Sequence, residues 1–289
     1  MRADLHTHSS VSDGTDAPAD LVAKARDAGL TLIALCDHDT QAGVRAAQEA
    51  GQRAGVAVLA GIEVSCECDG ITVHLLGLGC CGGTELDDEL ARVRADRDVR
   101  VDAMLERLAR EGLVVTRADV EAAAADGVTL GRPHVADALV AAGFAPDRTT
   151  AFERWLAEDR PAYVPHYRLP LARGIALVRD AGGAAVVAHP WARRSRAVLT
   201  AEKLASLARP APGEAALDGL EVDHEDHDPA TRARLRVVAA DLGLIVTGGS
   251  DYHGRGKIDH ELGCHTTNVE NWVRVAAAIA ARGGRAPAV

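Results

Sequence analysis

Aromatic residues are scarce in this 289-residue chain: three Trp, three Tyr and two Phe amount to 3% of it, although 47% is hydrophobic. The core must therefore be filled by Ala, Val, Leu and Ile, which suits helices packed on a buried sheet rather than a β-sandwich. Positive charge is in the minority, with 32 Lys and Arg against 42 Asp and Glu for a net charge of −10. That balance argues against a broad electrostatic grip on duplex DNA, yet it permits a local cationic site for a small anion. No uninterrupted apolar run of about eighteen residues occurs and the N-terminus has no apolar signal core, so neither a membrane partner nor a secretory leader is expected, and the expected compartment is cytoplasmic. The six cysteines (Cys36, Cys66, Cys68, Cys80, Cys81 and Cys264) lack the paired spacing of a zinc ribbon and read as small packed hydrophobes in a reducing compartment.

What the chain does hold is an alternation of short apolar runs with helix-length amphipathic segments, the pattern of parallel strands joined by crossover helices. Seven strand-like runs can be counted: "ADLHTH", "LTLIALCDHD", "VAVLAGIEVS", "ITVHLLGLG", "AAVVAHP", "LDGLEVDHE" and "LIVTGGSDYH". Asp16 and Pro18 open the first helix, Gly29 closes it, and Thr40 opens the second. Between the third and fourth runs there is room only for Asp69-Gly70, a two-residue hairpin signal that makes this pair antiparallel. From Thr84 the strand rhythm stops and helical periodicity takes over. "TELDDELARVRADRDVRVDAMLERLAREG", "TRADVEAAAADG", "RPHVADALVAAG" and "TTAFERWLAED" are four expected helices. The first should bury Val93, Val101, Met104, Leu105 and Leu108 and present its charge run to solvent. The expected organisation is a barrel over residues 1–83 and 164–289 with a helical insertion over residues 84–163.

Histidines and carboxylates crowd the C-terminal ends of the expected strands, the end at which parallel barrels build active sites. His6 and His8 end the first strand two residues apart, so both point to one face, and Asp13 follows. His38 ends the second strand, Glu63 lies late in the third, His189 ends the fifth, and Asp251 and His253 end the seventh. His74 sits on the strand paired with that of Glu63. Burying so many imidazoles and carboxylates without ions would leave them unpaired, so metal binding is the economical reading. Imidazole and carboxylate without thiolate suits manganese, iron or zinc; Cys36, two residues before His38, reads as a packed thiol.

The runs "DLHTHSSVSDGT", "IALCDHDT", "GIEVS", "HLLGLG", "AHP" and "GGSDYHG", in this order, resemble the PHP (polymerase and histidinol phosphatase) superfamily of metal-dependent phosphoesterases. The resemblance covers nearly the whole chain and is nearest to the branch that hydrolyses 3′,5′-nucleoside bisphosphates or short RNA 5′ ends. It implies an α/β fold, a distorted (βα)7 barrel with an inserted small α-helical domain. It also implies up to three divalent ions, Mn2+ first with Fe2+ or Zn2+ as alternatives, held by His6, His8, Asp13, His38, Glu63, His74, His189, Asp251 and His253. Asp13 stands where many members have histidine. The chemistry expected of such a site is in-line attack on phosphorus by a metal-bridged hydroxide, with Asp251 and His189 at the catalytic centre.

"TLGRPHVADAL" places Arg132 and His134 at a helix start, where backbone N–H groups and a guanidinium fork can meet phosphate oxygens. From spacing alone Arg132 could equally pair with a surface acid and His134 cap its helix; the resemblance implies that both contact the substrate phosphate. Tyr163, His166, Tyr167, Arg168 and Lys257 are further cleft candidates, with surface or turn roles as the plainer reading. His224 and His227 read as exposed or as lying behind the ligands. The expected partner is a small phosphorylated substrate or a short RNA end. Alternatives are a phosphatase for a small metabolite such as histidinol phosphate, a barrel amidohydrolase, and a non-catalytic metal-binding regulatory module.

Overall fold

The computed structural model describes residues 1–124 and 128–288. Three short runs with no exposed residue, β1 (Ala3–Thr7), β2 (Leu32–Leu35) and β3 (Ala57–Ala60), pair in parallel in that order. The crossovers between them are α1 (Pro18–Asp27) and α2 (Val44–Ala54). Pro18 occupies the first turn of α1, where its missing N–H costs nothing. Thr40 does not open α2; its hydroxyl accepts the Ala42 N–H at 3.2 Å in a turn, and the helix starts at Val44.

The third expected strand divides in two at Gly61. A Cβ at Gly61 would lie 2.6 Å from Cys36 Sγ and 2.7 Å from the Leu35 carbonyl oxygen. Only glycine lets the chain cross over β2 here, and β4 (Glu63–Cys68) then leaves for a second sheet. It pairs antiparallel with β5 (Ile71–Leu78) across a turn in which Asp69 (φ 49°) and Gly70 (φ 78°) both take left-handed conformations.

The long α3 (Glu85–Arg110) then leads into α4 (Arg117–Ala123), α5 (Arg132–Ala141) and α6 (Arg148–Ala151), the last running into a π turn over Phe152–Leu156. The final expected residues of the α4 segment, 125–127, lie outside the described residues. Met104, Leu108, Val120, Val135, Leu139 and Leu156 give these helices a core of their own. Leu86 and Leu90, however, pack with Leu75, Leu171 and Ile175 of the barrel, so the first turns of α3 belong to the barrel core and its later turns to the insertion.

The chain returns through β6 (Leu169–Pro170), α7 (Leu171–Asp180), β7 (Ala184–Val187), α8 (Ala201–Ala208), β8 (Gly219–Asp223), α9 (Pro229–Leu242), β9 (Ile245–Gly248) and α10 (Val269–Ala280). The second sheet runs β6-β4-β5-β7-β8-β9. Among the described residues nine strands thus stand where seven were expected, through the break at Gly61 and through β6, too short to register as an apolar run. Two seams join the sheets. Thr7 bridges Tyr252, flanked by Asp251 N–H to the His6 carbonyl at 2.8 Å and His8 N–H to the Tyr252 carbonyl at 2.9 Å, and His38 bridges Glu63. The result is an α/β fold whose strands ring one interior. Among the described residues no helix is long and apolar enough to cross a membrane.

Candidate metal centre

On β1 the pairing with β2 shifts register between Asp4 and Thr7, which breaks strict alternation: Leu5 joins the cluster that holds Cys36, Leu76 and Val186, and His6 and then His8 still turn to the side of Glu63. The end of β9 closes tightly on this point: a Cβ on Gly249 would lie 2.4 Å from His6 Cβ. The turns that aim the other ligands are unusual for residues with side chains. His189 (φ 28°) and Asp251 (φ 53°) both hold positive φ, a costly conformation that persists where surrounding structure enforces it.

All nine side chains expected as ligands meet at this rim. Glu63, 1% exposed, is the hub. Its Oε2 lies 3.3 Å from His6 Nε2, 3.2 Å from His8 Nε2 and 3.2 Å from His38 Nδ1. Its Oε1 lies 2.8 Å from His74 Nδ1 and 3.2 Å from His189 Nε2. Asp251 Oδ1 sits 3.5 Å from His6 Nε2 and 3.3 Å from His8 Nε2. Asp13 faces His253 Nε2 at 3.2 Å and His38 Nε2 at 3.6 Å. Among the overlapping groups, three are built from these nine alone, His8, Asp13, His38 and His253; His6, His8, Glu63 and Asp251; and His38, Glu63 and His74; another joins His189 to Glu221 and His224.

The donor atoms themselves test whether cations fit. His6 Nε2, both ring nitrogens of His8, His38 Nδ1 and His74 Nδ1 are buried without a hydrogen-bond partner among the described residues. Native interiors rarely leave such atoms unpaired. Tautomers are fixed from behind: His6 Nδ1 donates to Glu221 Oε1 at 3.0 Å and His253 Nδ1 to the Asp251 carbonyl at 2.9 Å, turning each Nε2 lone pair inward. The residues present therefore fit several divalent cations with nitrogen and oxygen ligands. Cys36 is not among the donors; burial pushes its thiol well up, and its Sγ lies 3.5 Å from the Leu5 carbonyl.

Charge in the pocket is tightly coupled. Burial works against ionising Glu63, yet the surrounding His38, His74 and His6 hold it well below the usual carboxylate range. Burial likewise opposes ionisation of Asp251, and Lys257 and His6 overcome it. His38 goes the other way, lowered to about 3 chiefly by burial.

Several functional positions were missed by sequence reasoning. Glu221 on β8, fully buried between Leu220 and Val222, holds His6 Nδ1 and also accepts the His189 backbone N–H at 3.0 Å. Asp37 and Asp39 flank His38. Asp37 gathers Ser9 N–H at 2.8 Å and the Ser12 hydroxyl at 2.8 Å, and Asp39 takes Ser65 N–H at 2.7 Å. The visible signal was a carboxylate inside or beside an apolar run. His224 and His227 are buried, not exposed: His224 Nε2 donates to Asp251 Oδ2 at 3.2 Å, and His227 Nδ1 donates to the Val222 carbonyl at 3.0 Å. Both lie behind the ligands.

The two expected substrate contacts separate. His134 has both ring nitrogens engaged, Nδ1 accepting Gly131 N–H at 3.0 Å and Nε2 donating to the Ser12 carbonyl at 2.9 Å. It caps α5 and clamps the insertion to the loop before Asp13, which leaves it nothing to offer a substrate. Arg132 stays available: it donates one N–H to the Leu156 carbonyl at 3.3 Å and lies over the Phe152 and Tyr163 rings. Lys257 reaches the pocket and bonds Asp251 Oδ2.

Comparison with known proteins agrees with this geometry. The PHP domain model matches residues 4–128, the segment carrying His6, His8, Asp13, His38, Glu63 and His74. The chain is 31% identical over 274 residues to a 3′,5′-nucleoside bisphosphate phosphatase of Chromobacterium violaceum, covering 92% of each protein. It is 34% identical over 268 residues to a phosphoribosyl 1,2-cyclic phosphate 1,2-diphosphodiesterase of Eggerthella lenta, covering 90% of this chain and 97% of the relative. A solved structure from Bifidobacterium adolescentis, described as a proposed metal-dependent phosphoesterase, superposes with a TM-score of 0.90 at 38% identity over 96% of both chains. With relatives this similar across almost their full length, the chain belongs to the PHP family.

Proposed function

We propose that this protein is a metal-dependent phosphoric ester hydrolase acting on a nucleotide, converting a 3′,5′-nucleoside bisphosphate to the 5′-nucleotide and phosphate or trimming the 5′-phosphorylated end of a short RNA. The observation that carries the reading is the set of buried, unpartnered imidazole nitrogens ringed around Glu63. His6, His8, Asp13, His38, Glu63, His74, His189, Asp251 and His253 would hold two to three divalent ions, manganese preferred. Bound there, the ions supply Lewis acidity toward phosphoryl oxygens and a water activated near neutral pH.

The chain's own residues position the reaction. Asp251 turns Oδ1 to the histidine pocket while Oδ2 is occupied by His224 and Lys257, so its inward oxygen is fixed in direction. His189 is set beside Glu63 by its own strained turn and by the Glu221 carboxylate that takes its N–H. The helical insertion, residues 84–163, acts as the substrate cap over the barrel formed by residues 1–83 and 164–289. Its grip on the loop around Asp13 is His134 on the Ser12 carbonyl and Arg148 Nη1 on the Asp13 carbonyl at 2.9 Å, and Arg97 adds an ion pair to Asp39 at 2.6 Å.

The test is kcat/KM of manganese-loaded protein on adenosine 3′,5′-bisphosphate, a short 5′-phosphorylated RNA, a cyclic phosphodiester and histidinol phosphate. The bisphosphate or the RNA end should lead. Asp251→Asn and His8→Ala should each lose bound metal together with turnover, by more than about a hundredfold. Preference for histidinol phosphate, or full activity in both variants, would refute the proposal.

A further inference from the structure

Outside the metal centre, two imidazoles share its signature of a buried ring nitrogen without a hydrogen-bond partner among the described residues: His166 Nδ1 and His260 Nε2. Their surroundings are opposite. His166 lies among guanidinium groups. The charge run of α3, expected to be solvated, sends Arg100 inward to 6% exposure, and burial followed by Arg100, Arg97, Arg168 and Arg132 pushes the His166 ring far below its ordinary value. Such a place repels cations. His260, 6% exposed, faces a carboxylate instead, its Nε2 lying 3.6 Å from Asp226 Oδ1.

The His260 ring is held by its other nitrogen. Nδ1 donates to the Ile258 carbonyl at 2.8 Å, which leaves the lone pair on Nε2, the nitrogen turned to Asp226. At 3.6 Å these two atoms are too far apart for a hydrogen bond. Two ligands each about 2.0 Å from a tetrahedral zinc ion stand about 3.3 Å apart, so the gap is close to that of a pair sharing an ion. A third donor is at hand. One ligand atom from each of His224, Asp226 and His260 lies within 4.8 Å of the other two, and the rings of His224 and His260 meet edge-on with centroids 5.6 Å apart.

His224 joins this cluster to the catalytic rim. Its Nε2 donates to Asp251 Oδ2 at 3.2 Å, so its lone pair is on Nδ1, which accepts the Asp226 N–H at 3.0 Å. Asp226 is an exposed residue between β8 and α9, and water can take over that N–H once Nδ1 turns to an ion. An imidazole that gives one nitrogen to a metal and the other N–H to a carboxylate is a recurrent arrangement in zinc sites. Neighbouring cations do not fill the gap. Arg193 reaches Asp226 Oδ2 at 3.5 Å from a side chain 75% exposed, a pair worth little, and Lys257 is taken by Asp251.

We propose that His224, Asp226 and His260 form a separate zinc site at the outer edge of the rim, where the ion staples the loop after β8 to the loop after β9. Two imidazoles and a carboxylate, with the exposed side of Asp226 open to a water as fourth ligand, are a zinc set; manganese, lowest in the affinity order for such ligands, competes poorly. None of the nine residues of the inner pocket belongs to it, so the inference stands apart from the hydrolase reading.

Two measurements test the site without turnover. The first is the zinc stoichiometry of chelator-stripped protein after equilibrium dialysis against zinc. Asp226→Ala and His260→Gln should each bind about one equivalent fewer than the unaltered chain, and adding His260→Gln to His8→Ala should again remove about one equivalent, because the outer ion does not depend on the inner pocket. The second is hydrogen exchange of manganese-loaded protein: added zinc should slow the amides of residues 257–262 in the unaltered chain and in neither variant. Circular dichroism with thermal melts checks that each variant folds, and Asp226→Ala, which alters only an exposed turn, decides the matter where His260→Gln does not fold. Equal stoichiometry in the unaltered chain and the folded variants would overturn the site, and would mean that His260 pairs with Asp226 by taking up a second proton; the hydrolase reading would stand. Loss of the outer equivalent in a protein inert on every phosphate ester would do the reverse.

Discussion

A single carboxylate illustrates how much of this site lies one step behind the atoms that would touch a cation. Glu221 fixes the His6 tautomer through Nδ1 and anchors the His189 backbone N–H. Replacing it by Gln keeps volume and an accepting oxygen while removing the charge that makes His6 a better donor. Metal titration of Glu221→Gln should show manganese affinity lowered about 10–100-fold, with the fold intact by circular dichroism; unchanged affinity would reduce Glu221 to a packing role. Sequence reasoning found the nine pocket residues because imidazoles and carboxylates at strand ends stand out against apolar runs. It missed Glu221 because one acid between Leu220 and Val222 looks like ordinary strand alternation, and Arg100 because a guanidinium in a run of mixed charge looks solvated. In both cases burial is decided by elements far away in the chain, which no local pattern contains.

At the scale of elements, glycine placement explains where the strand pattern failed. A continuous apolar run from Val56 to Ser65 reads as one strand, yet the sheets part at Gly61, where the chain passes directly over the end of β2. Gly61→Ala forces a methyl group against Cys36 Sγ and the Leu35 carbonyl, and should destabilise the protein by about 1–3 kcal/mol in urea unfolding, with an unchanged denaturant slope. Gly70, at φ 78° with nothing near its Cβ position, gives the contrast. Its replacement by Ala costs only the left-handed backbone, about 1 kcal/mol, and should leave metal binding untouched. The Gly61 variant, one residue removed from the strand that begins with Glu63, should weaken metal binding as well. The hairpin was legible because Asp69-Gly70 is a local signal, whereas the break was not, because the clash that demands it comes from β2.

At the scale of the whole molecule, the metal centre coincides with the two seams that close the ring. His6, His8, Asp251 and His253 flank the Thr7–Tyr252 bridge, and the other seam is itself the His38–Glu63 bridge. Ligands drawn from both sheets mean that cations bound there cross-link the sheets where backbone pairing is thinnest, and without them buried imidazoles stay unpaired. Binding to the folded state alone stabilises by about 2.7 kcal/mol at a hundredfold excess over Kd. At roughly 2–4 °C per kcal/mol for a chain somewhat shorter than this one, manganese should raise Tm by roughly 5–10 °C, and chelation should reverse the shift. Hydrogen exchange after chelation should quicken first at the His8 and Asp251 amides of the first seam and the Asp39 amide of the second, ahead of the β4–β5 hairpin. In Asp251→Asn the manganese-dependent rise should shrink or vanish. A melting temperature indifferent to verified metal loss would mean that the ring closes on backbone and core packing alone, and that the cations serve only the chemistry.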